Sequence, residues 1–135
     1  MVCAGGGGIP CTRQTDGTLA GVEAVVDKDR ASALLAIGLH ADMLLLLLTD
    51  VDAAYVGFGT PAAHAISRAD PHSLQAHETE FRAGSMGPKM EGAIHFATVA
   101  GRPAGIGRLE DAGAILLGTA GTMVDPDTQG LQFRP

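Results

Sequence analysis

The apolar run from Met43 to Leu48 is the feature that most limits the folds open to this chain. It is far shorter than the roughly 20 residues that a helix needs to cross a bilayer. A short, continuous apolar run is instead typical of a strand that is buried on both faces of a parallel sheet. Before it, Val22 to Val26 predicts a strand, and Ala31 to Leu39 has apolar residues at helical spacing. A strand, a helix and a strand in this order predict an α/β fold with a right-handed crossover.

The rest of the chain is predicted to continue this alternation. Gly57 to Pro71 is rich in glycine, proline and polar residues, which predicts a loop. The further predicted elements are a helix over His72 to Glu80, a helix over Lys89 to Val99, a strand over Ala104 to Gly107, a helix over Leu109 to Leu117 and a strand over Thr122 to Val124. With 135 residues, 46% of them hydrophobic, the chain can bury one core, since a domain commonly has roughly 100–150 residues. We therefore expect a single domain over residues 1–135, with a frayed tail over 126–135.

Charge and composition exclude several classes of partner. Nine basic residues against fifteen acidic ones give a net charge of −6, so no basic face is available for a nucleic acid. The chain opens with no basic segment followed by a long apolar stretch, so we expect neither a secretory signal nor a membrane span. Cys3 and Cys11 have no metal-ligand spacing and are expected to be reduced thiols. These expectations together predict a cytoplasmic location.

Both lysines of the chain, Lys28 and Lys89, lie at predicted helix starts. An ammonium group at a helix start is unfavourable, because it faces the positive end of the helix dipole. A polyanion such as a phosphate chain, bound between the ammonium group and the helix start, would explain its position. The alternative is that both lysines are simply solvated. The carboxylates beside Lys28 also have two interpretations. Asp27 and Asp29 are either an N-cap and a dipole-favoured acid, or they include a carboxylate that holds lysine ammonium groups in place for phosphoryl transfer.

Two loop segments are further candidates for binding. Gly5 to Gly8 predicts either an anion nest of successive N–H groups or a plain flexible turn, since it completes neither a Walker loop nor a dinucleotide fingerprint. Thr49-Asp50-Val51-Asp52 follows the apolar strand, at the sheet edge where open α/β sheets bind ligands. Ordinary turn chemistry is an equal explanation for that segment. His72, His77 and Glu78 lack the spacing of a zinc helix and predict a solvated one.

Several segments, taken together, resemble carbamate kinase of the amino acid kinase family in order and spacing. They are Gly5-Gly6-Gly7-Gly8-Ile9-Pro10, Glu23-Ala24-Val25-Val26-Asp27-Lys28-Asp29, Leu48-Thr49-Asp50-Val51-Asp52-Ala53, Phe58-Gly59-Thr60-Pro61, Gly84-Ser85-Met86-Gly87-Pro88-Lys89, Leu109-Glu110-Asp111-Ala112 and Gly121-Thr122. What matches is the carboxyl-terminal half of that family. The resemblance implies a three-layer α/β/α sandwich with a mainly parallel sheet, forming a nucleotide-binding half that is incomplete at the N-terminus.

The resemblance also implies roles for particular residues. Lys28 and Lys89 would bind the phosphate chain and Asp29 would orient their ammonium groups, which makes these three the catalytic candidates. The candidates for nucleotide binding, which would line or close the ribose and adenine pocket, are Thr49, Asp50, Val51, Tyr55, Met86 and Pro88. Gly6, Gly7 and Gly8 would approach the phosphoryl acceptor. Mg²⁺ would accompany ATP or ADP, bound chiefly by phosphate oxygens and water rather than by a protein cage.

The activity that the resemblance implies is reversible phosphoryl transfer between ATP and carbamate, giving ADP and carbamoyl phosphate, in arginine metabolism. The Gly-Gly-Asn segment of the family's amino-terminal half has no counterpart here. The alternative is therefore a truncated nucleotide-binding remnant without catalysis. A sheet cut in half would leave unpaired strand edges and an apolar face, so we also expect a homo-oligomer or other self-association.

Overall fold

The computed structural model describes residues 1–81 and 85–135 of the chain. The strands are β1 (Cys11–Arg13), β2 (Leu19–Gly21), β3 (Leu44–Leu48), β4 (Tyr55–Val56), β5 (His64–Ala69), β6 (Ala104–Arg108), β7 (Thr122–Val124) and β8 (Leu131–Phe133). The helices are α1 (Lys28–Gly38), α2 (Pro71–Ala76), α3 (Glu78–Phe81), α4 (Met86–Ala100) and α5 (Ala112–Leu116), the last preceded by a 3-10 turn (Leu109–Asp111). Gly84, part of the predicted loop before α4, lies outside the described residues. None of these helices is long and apolar enough to cross a bilayer.

Six strands form one mixed sheet in the order β3-β6-β7-β5-β4, with β8 also paired to β5. The β3–β6 and β5–β7 pairs are parallel. The β6–β7, β4–β5 and β5–β8 pairs are antiparallel, so the two parallel pairs run in opposite directions. The predicted α/β class is confirmed, and the sheet combines parallel and antiparallel pairs. Outside it, β1 and β2 form a separate antiparallel hairpin.

The two faces of β3 pack against different helices, because successive side chains of a strand point to opposite faces. Leu46 is 4% exposed and lies beside Gly92 of α4. Leu45 lies on the other face, where it and Ile115 of α5 pack over Gly105 of β6. Helices therefore cover both faces, which explains why this strand is apolar throughout and gives the three layers that the sequence predicted.

The long helices begin and end where the sequence carries helix signals. Asp27 caps α1, since its Oδ1 accepts from the main-chain N of Asp29 at 3.0 Å and of Arg30 at 2.9 Å. Pro88 lies in the first turn of α4, where its missing N–H removes no helical bond. Gly101 ends α4 in the left-handed conformation, with φ of 62°. The helices predicted from residues 31 and 89 are confirmed, and each begins three residues earlier.

The prediction of a loop over Gly57 to Pro71 is wrong for residues 64–69. This segment is β5, which pairs with β4, β7 and β8, and its Ile66 is fully buried. With a single large apolar side chain, the segment has little strand propensity of its own. Hydrogen bonds from strands distant in the sequence stabilise it, as is common for strands.

The frayed tail expected over 126–135 is also not what the structure has. Leu131–Phe133 forms β8 against β5, and the main-chain N of Arg134 donates to the carbonyl oxygen of Ala65 at 2.9 Å. A strand of three residues carries too few side chains for a sequence signal, and its position depends on the strand that it pairs with.

Two other elements are displaced from their predicted positions. The strand expected over Val22 to Val26 lies earlier, at β2, where it pairs with β1. The helix expected over His72 to Glu80 is divided at His77 into α2 and α3.

Candidate functional site

Asp29 brings both lysines of the chain together. Lys28 is the first residue of α1, and Lys89 lies near the start of α4. Both ammonium groups donate to the same oxygen, Oδ2 of Asp29, at 3.2 Å from Lys28 Nζ and 3.0 Å from Lys89 Nζ. The three predicted catalytic residues thus form one cluster, which we call the lysine–aspartate cluster, at the amino-terminal ends of two helices.

The cluster is buried at one end and open at the other. The side chains of Lys89 and Asp29 are 5% and 9% exposed, whereas that of Lys28 is 60% exposed. The hydrogen bond to Asp29, with its negative charge, raises the pKa of Lys28 above the ordinary value, so this side chain is an ammonium at neutral pH. Two ammonium groups beside two helix N-termini, one of them exposed, form an arrangement suited to binding an anion from the exposed side.

The carboxylates of Asp27 and Asp29 have different hydrogen-bond partners. The carboxylate of Asp27 accepts main-chain hydrogen bonds as the N-cap of α1, while that of Asp29 accepts from the lysines. The capping interpretation is therefore confirmed for Asp27. Because the cap holds the first turn of α1 in place, it also fixes the position from which Asp29 points toward Lys89.

A glycine lets the two helices approach at this point. Gly92 of α4 lies against the carbonyl oxygen of Asp29, and an added Cβ would be 3.2 Å from that oxygen. Small buried side chains on both helices, Ala33 and Ala36 on α1 and Ala93 and Ala97 on α4, accompany it. This close packing brings Lys89 within hydrogen-bonding distance of Asp29.

The nucleotide-binding candidates divide between the edge of the sheet and the start of α4. Thr49 and Asp50 are exposed directly after β3, and Tyr55 begins β4. Val51 and Met86 are half-buried and pack against the same hydrophobic core. Val51, in the loop after β3, and Met86, at the start of α4, therefore pack on a common core. Met86 is also close in sequence to Lys89.

Asp52 was predicted only as part of a candidate binding segment, and the structure gives its side chain two specific partners. Its Oδ1 accepts a hydrogen bond from the Tyr55 hydroxyl at 2.9 Å, and its Oδ2 lies 3.7 Å from Arg134 Nη1. The hydrogen bond to Asp52, together with partial burial, raises the pKa of Tyr55 above the ordinary value. The Thr49-Asp50-Val51-Asp52 motif pointed to this position, but nothing in the sequence pointed to Arg134 as its partner.

The glycine segment lies beside the entry to α1. Gly7 packs so closely against Val26 that an added Cβ would collide with its Cγ1, and Gly8 has φ of 81°. Val26 immediately precedes the cap Asp27 and Lys28. The structure therefore brings Gly7 next to the segment that leads into the lysine–aspartate cluster, while Gly5 and Gly6 have open space around them.

Two cavities formed by the described residues lie elsewhere. One of about 530 Å³ lies between α1, α4 and the α2–α3 segment, and one of about 660 Å³ lies between α2 and the loop before β8. Neither is lined by a member of the lysine–aspartate cluster. Within residues 1–81 and 85–135, no three potential metal-ligating side chains lie together, and His77 pairs with Glu80 at 2.9 Å.

The fold and the site define an α/β protein with paired lysines and a shared carboxylate at two helix N-termini. Residues 1–107 match the family model described as the amino acid kinase family, and the chain belongs to that family. The predicted resemblance is confirmed.

The similar proteins include several carbamate kinases. The chain is 47% identical to the carbamate kinase of Haemophilus influenzae over 133 residues, which cover 98% of the chain and 42% of that protein. It is 50% identical to the carbamate kinase of Rhizobium meliloti over 126 residues, which cover 92% of the chain and 38% of that protein. The chain therefore spans about two fifths of the length of these relatives.

Solved structures agree with this relationship. The carbamate kinase of Giardia lamblia bound to AMP-PNP superposes with a TM-score of 0.83 at 37% identity, over 90% of this chain and 42% of that one. The UMP kinase of Bacillus anthracis, at 18% identity and a TM-score of 0.63, shares the fold.

Proposed function

We propose that this chain contributes the nucleotide-binding part of a carbamate kinase, which transfers a phosphoryl group reversibly between ATP and carbamate. The observation that carries the proposal is the contact of both lysine ammonium groups with one buried carboxylate oxygen. A solvated surface lysine would not need such a partner, and Lys89, at 4% exposure, is not solvated. Ammonium groups held in this way are suited to a polyanionic substrate.

In the proposed reaction, a carboxylate oxygen of carbamate bonds to the γ-phosphorus as the bond from that phosphorus to the bridging oxygen of ADP breaks. Phosphoryl transfer depends mainly on positioning and on neutralisation of charge. Lys28, which is exposed, would reach the phosphate chain, and Lys89 would supply a second positive charge from within the protein. Asp29 would keep both ammonium groups oriented while charge moves between the oxygens.

The remaining candidates fit the same proposal. Thr49, Asp50, Val51 and Tyr55 would contact the ribose and adenine, Met86 and Pro88 would close the pocket, and Gly6, Gly7 and Gly8 would lie toward the phosphoryl acceptor. Mg²⁺ would supply further charge neutralisation, held by phosphate oxygens and water, as this hard ion prefers. A relative that binds AMP-PNP supports the choice of an adenine nucleotide. We also propose a cytoplasmic location and a role in arginine and carbamoyl phosphate metabolism.

Self-association is part of the proposal. In the described sheet β3 is an edge strand that pairs only with β6, although it consists entirely of leucine. Unpaired apolar edges favour pairing with another chain. Leu34, Leu116 and Leu117 are also large and exposed, at 61%, 56% and 81%. We expect sedimentation velocity to show dimers or larger species at micromolar concentration, and a purely monomeric chain would contradict this.

Calorimetric titration of the purified chain with MgADP tests the proposal. Saturable binding with one site per chain is the expected result, and magnesium without ADP is the control. A folded chain, with cooperative thermal unfolding, that binds no MgADP would overturn the proposed function.

A second candidate is nucleotide binding without catalysis. It is favoured by the chain's span of about two fifths of its carbamate kinase relatives. Formation of ATP from carbamoyl phosphate and MgADP distinguishes the candidates: binding with turnover supports the kinase, and binding without turnover supports the remnant.

A further inference from the structure

The loop from Thr49 to Ala54 is anchored by strands that come much later in the chain. At its end, the main-chain N of Ala54 donates to Thr122 Oγ1 at 2.8 Å, and that hydroxyl donates to the carbonyl oxygen of Ile66 at 2.6 Å. Thr122 is fully buried, so this anchor belongs to the core. The part of the loop before Ala54 has a different anchor, the carboxylate of Asp52.

Arg134, just after β8, holds that carboxylate. Its main-chain N is bonded to Ala65, its Nη2 donates to the carbonyl oxygen of Gly121, and its Nη1 lies 3.7 Å from Asp52 Oδ2. The side chain is 31% exposed and that of Asp52 is 38% exposed, so water screens the ion pair only in part. A planar guanidinium can donate a hydrogen bond to a carbonyl while another of its nitrogens lies beside a carboxylate, which a lysine ammonium does less well.

We propose that Arg134 is a positioning residue for the nucleotide-binding loop. It fixes Asp52, and Asp52 in turn fixes the Tyr55 hydroxyl at the start of β4. Thr49 and Asp50, which are exposed, then have their conformation set by the residues that follow them. The inference rests on the proposed function, since it concerns affinity for the nucleotide.

Arg102 provides a matched control. Its Nη1 donates to the carbonyl oxygen of His40 at 2.7 Å and to Asp42 Oδ1 at 3.0 Å, so it too joins a carbonyl to an aspartate. Asp42 precedes β3, whereas Asp52 follows it, so Arg102 acts at the opposite end of that strand. Arg102→Gln removes the same charge, a hydrogen bond to a carbonyl and a contact with an aspartate without touching the loop, and the aspartate contact that it removes is the shorter of the two, at 3.0 Å against 3.7 Å.

Tyr55 is the only tyrosine of a chain that has no tryptophan, so its fluorescence reports this loop alone. The experiment compares the wild type with Arg134→Gln, Arg134→Lys and Arg102→Gln. It measures Tyr55 emission, acrylamide quenching of that emission, and MgADP affinity. Arg134→Gln is expected to change the emission, increase quenching and weaken MgADP binding by about fivefold, as loss of the partly screened ion pair with Asp52 and of the hydrogen bond to the carbonyl of Gly121 implies. Arg134→Lys is expected to recover part of the affinity, and Arg102→Gln to match the wild type.

The two readouts separate this inference from the proposed function. An Arg134→Gln variant with wild-type Tyr55 emission and quenching would overturn the inference, whether or not the chain binds MgADP. Equal changes in Arg134→Gln and Arg102→Gln would overturn it as well, because they would show a general loss of stability. A wild type that does not bind MgADP would overturn the proposed function and the effect on affinity, while the Tyr55 signals would still decide whether Arg134 positions the loop.

Discussion

Gly92 of α4 is so close to the carbonyl oxygen of Asp29 that a Cβ at position 92 would lie 3.2 Å from it. Contacts of this length are tight, and the atom approached is main chain in the first turn of a capped helix. The missing side chain therefore sets the spacing between α1 and α4. That spacing also determines whether Lys89 reaches the carboxylate of Asp29.

Gly92→Ala tests this spacing. Alanine normally stabilises a helix interior by roughly 0.5–1 kcal/mol relative to glycine. At position 92 we expect the tight contact to outweigh that gain, with a net destabilisation of about 1 kcal/mol. Gly113→Ala in α5, where a Cβ would meet nothing within 4 Å, is the control and should stabilise the chain. Urea unfolding measures the free energy of unfolding of both variants. Equal stabilisation by the two would show that α1 and α4 leave room for a Cβ at position 92.

Lys89→Met keeps an unbranched side chain, one atom shorter, at this buried position and removes its charge. We expect MgADP binding to weaken by at least about 1.5 kcal/mol, because the second positive charge proposed to act on the phosphates is lost. Arg30→Met is the control, since Arg30 is in the same first turn as Lys28 but is 74% exposed and pairs with Glu91 at 3.7 Å. Calorimetric titration measures both variants, and unchanged affinity in Lys89→Met would remove that residue from the proposed site.

Asp29→Asn separates the structural role of the cluster from its binding role. Without the carboxylate, Lys89 is a buried charge lacking its counter-charge, and we expect a destabilisation of about 3 kcal/mol. The double variant Asp29→Asn with Lys89→Met should recover most of this loss, because the buried charge is gone, but its affinity for MgADP should stay low. Recovery of affinity together with stability would mean that the cluster serves the fold alone.

Tyr55 provides a prediction about pH. Its hydroxyl donates to Asp52, which favours the neutral phenol and raises the pKa of Tyr55 in the folded state. The resulting contribution to stability is present below the pKa of the unfolded chain, about 10, and is lost as the pH rises through the higher folded pKa. Asp52→Asn should lower the pKa of Tyr55, because asparagine still accepts the hydrogen bond but carries no charge.

Absorbance titration of the phenol measures this pKa directly, since Tyr55 is the only tyrosine of the chain. Asp42→Asn is the control, because Asp42 is fully exposed and pairs with Arg102 before β3. The same pKa in the wild type and in Asp52→Asn would show that the charge of Asp52 does not act on the phenol of Tyr55.

Features that depend on neighbouring residues were predictable from the sequence. Asp27 caps α1 because a carboxylate before a helix can reach the main-chain N–H groups two and three residues later. The leucine run could be predicted as a strand because a short segment that is apolar throughout suits a strand covered on both faces. Lys28 and Asp29 could be singled out because they are adjacent in the first turn of a helix.

Features that depend on distant partners were not predictable in the same way. β5 was expected to be a loop, and β8 was expected to be frayed, because each is stabilised by the hydrogen bonds of strands far away in the sequence. Arg134 carried no signal at all, since its function as a partner of Asp52 arises only when β8 pairs with β5.

The sequence by itself determined which groups were present: two lysines at helix starts, a capping aspartate, and polar residues at the end of a buried strand. The tertiary structure alone decided that Lys89 and Lys28 share one oxygen of Asp29, and that Asp52 is held by Arg134. The physical reason is the separation in sequence over which each kind of interaction acts. Capping, propensity and apolar patterning act over a few residues, whereas an ion pair between α1 and α4 requires the packing of both helices, which Gly92 and the neighbouring alanines permit.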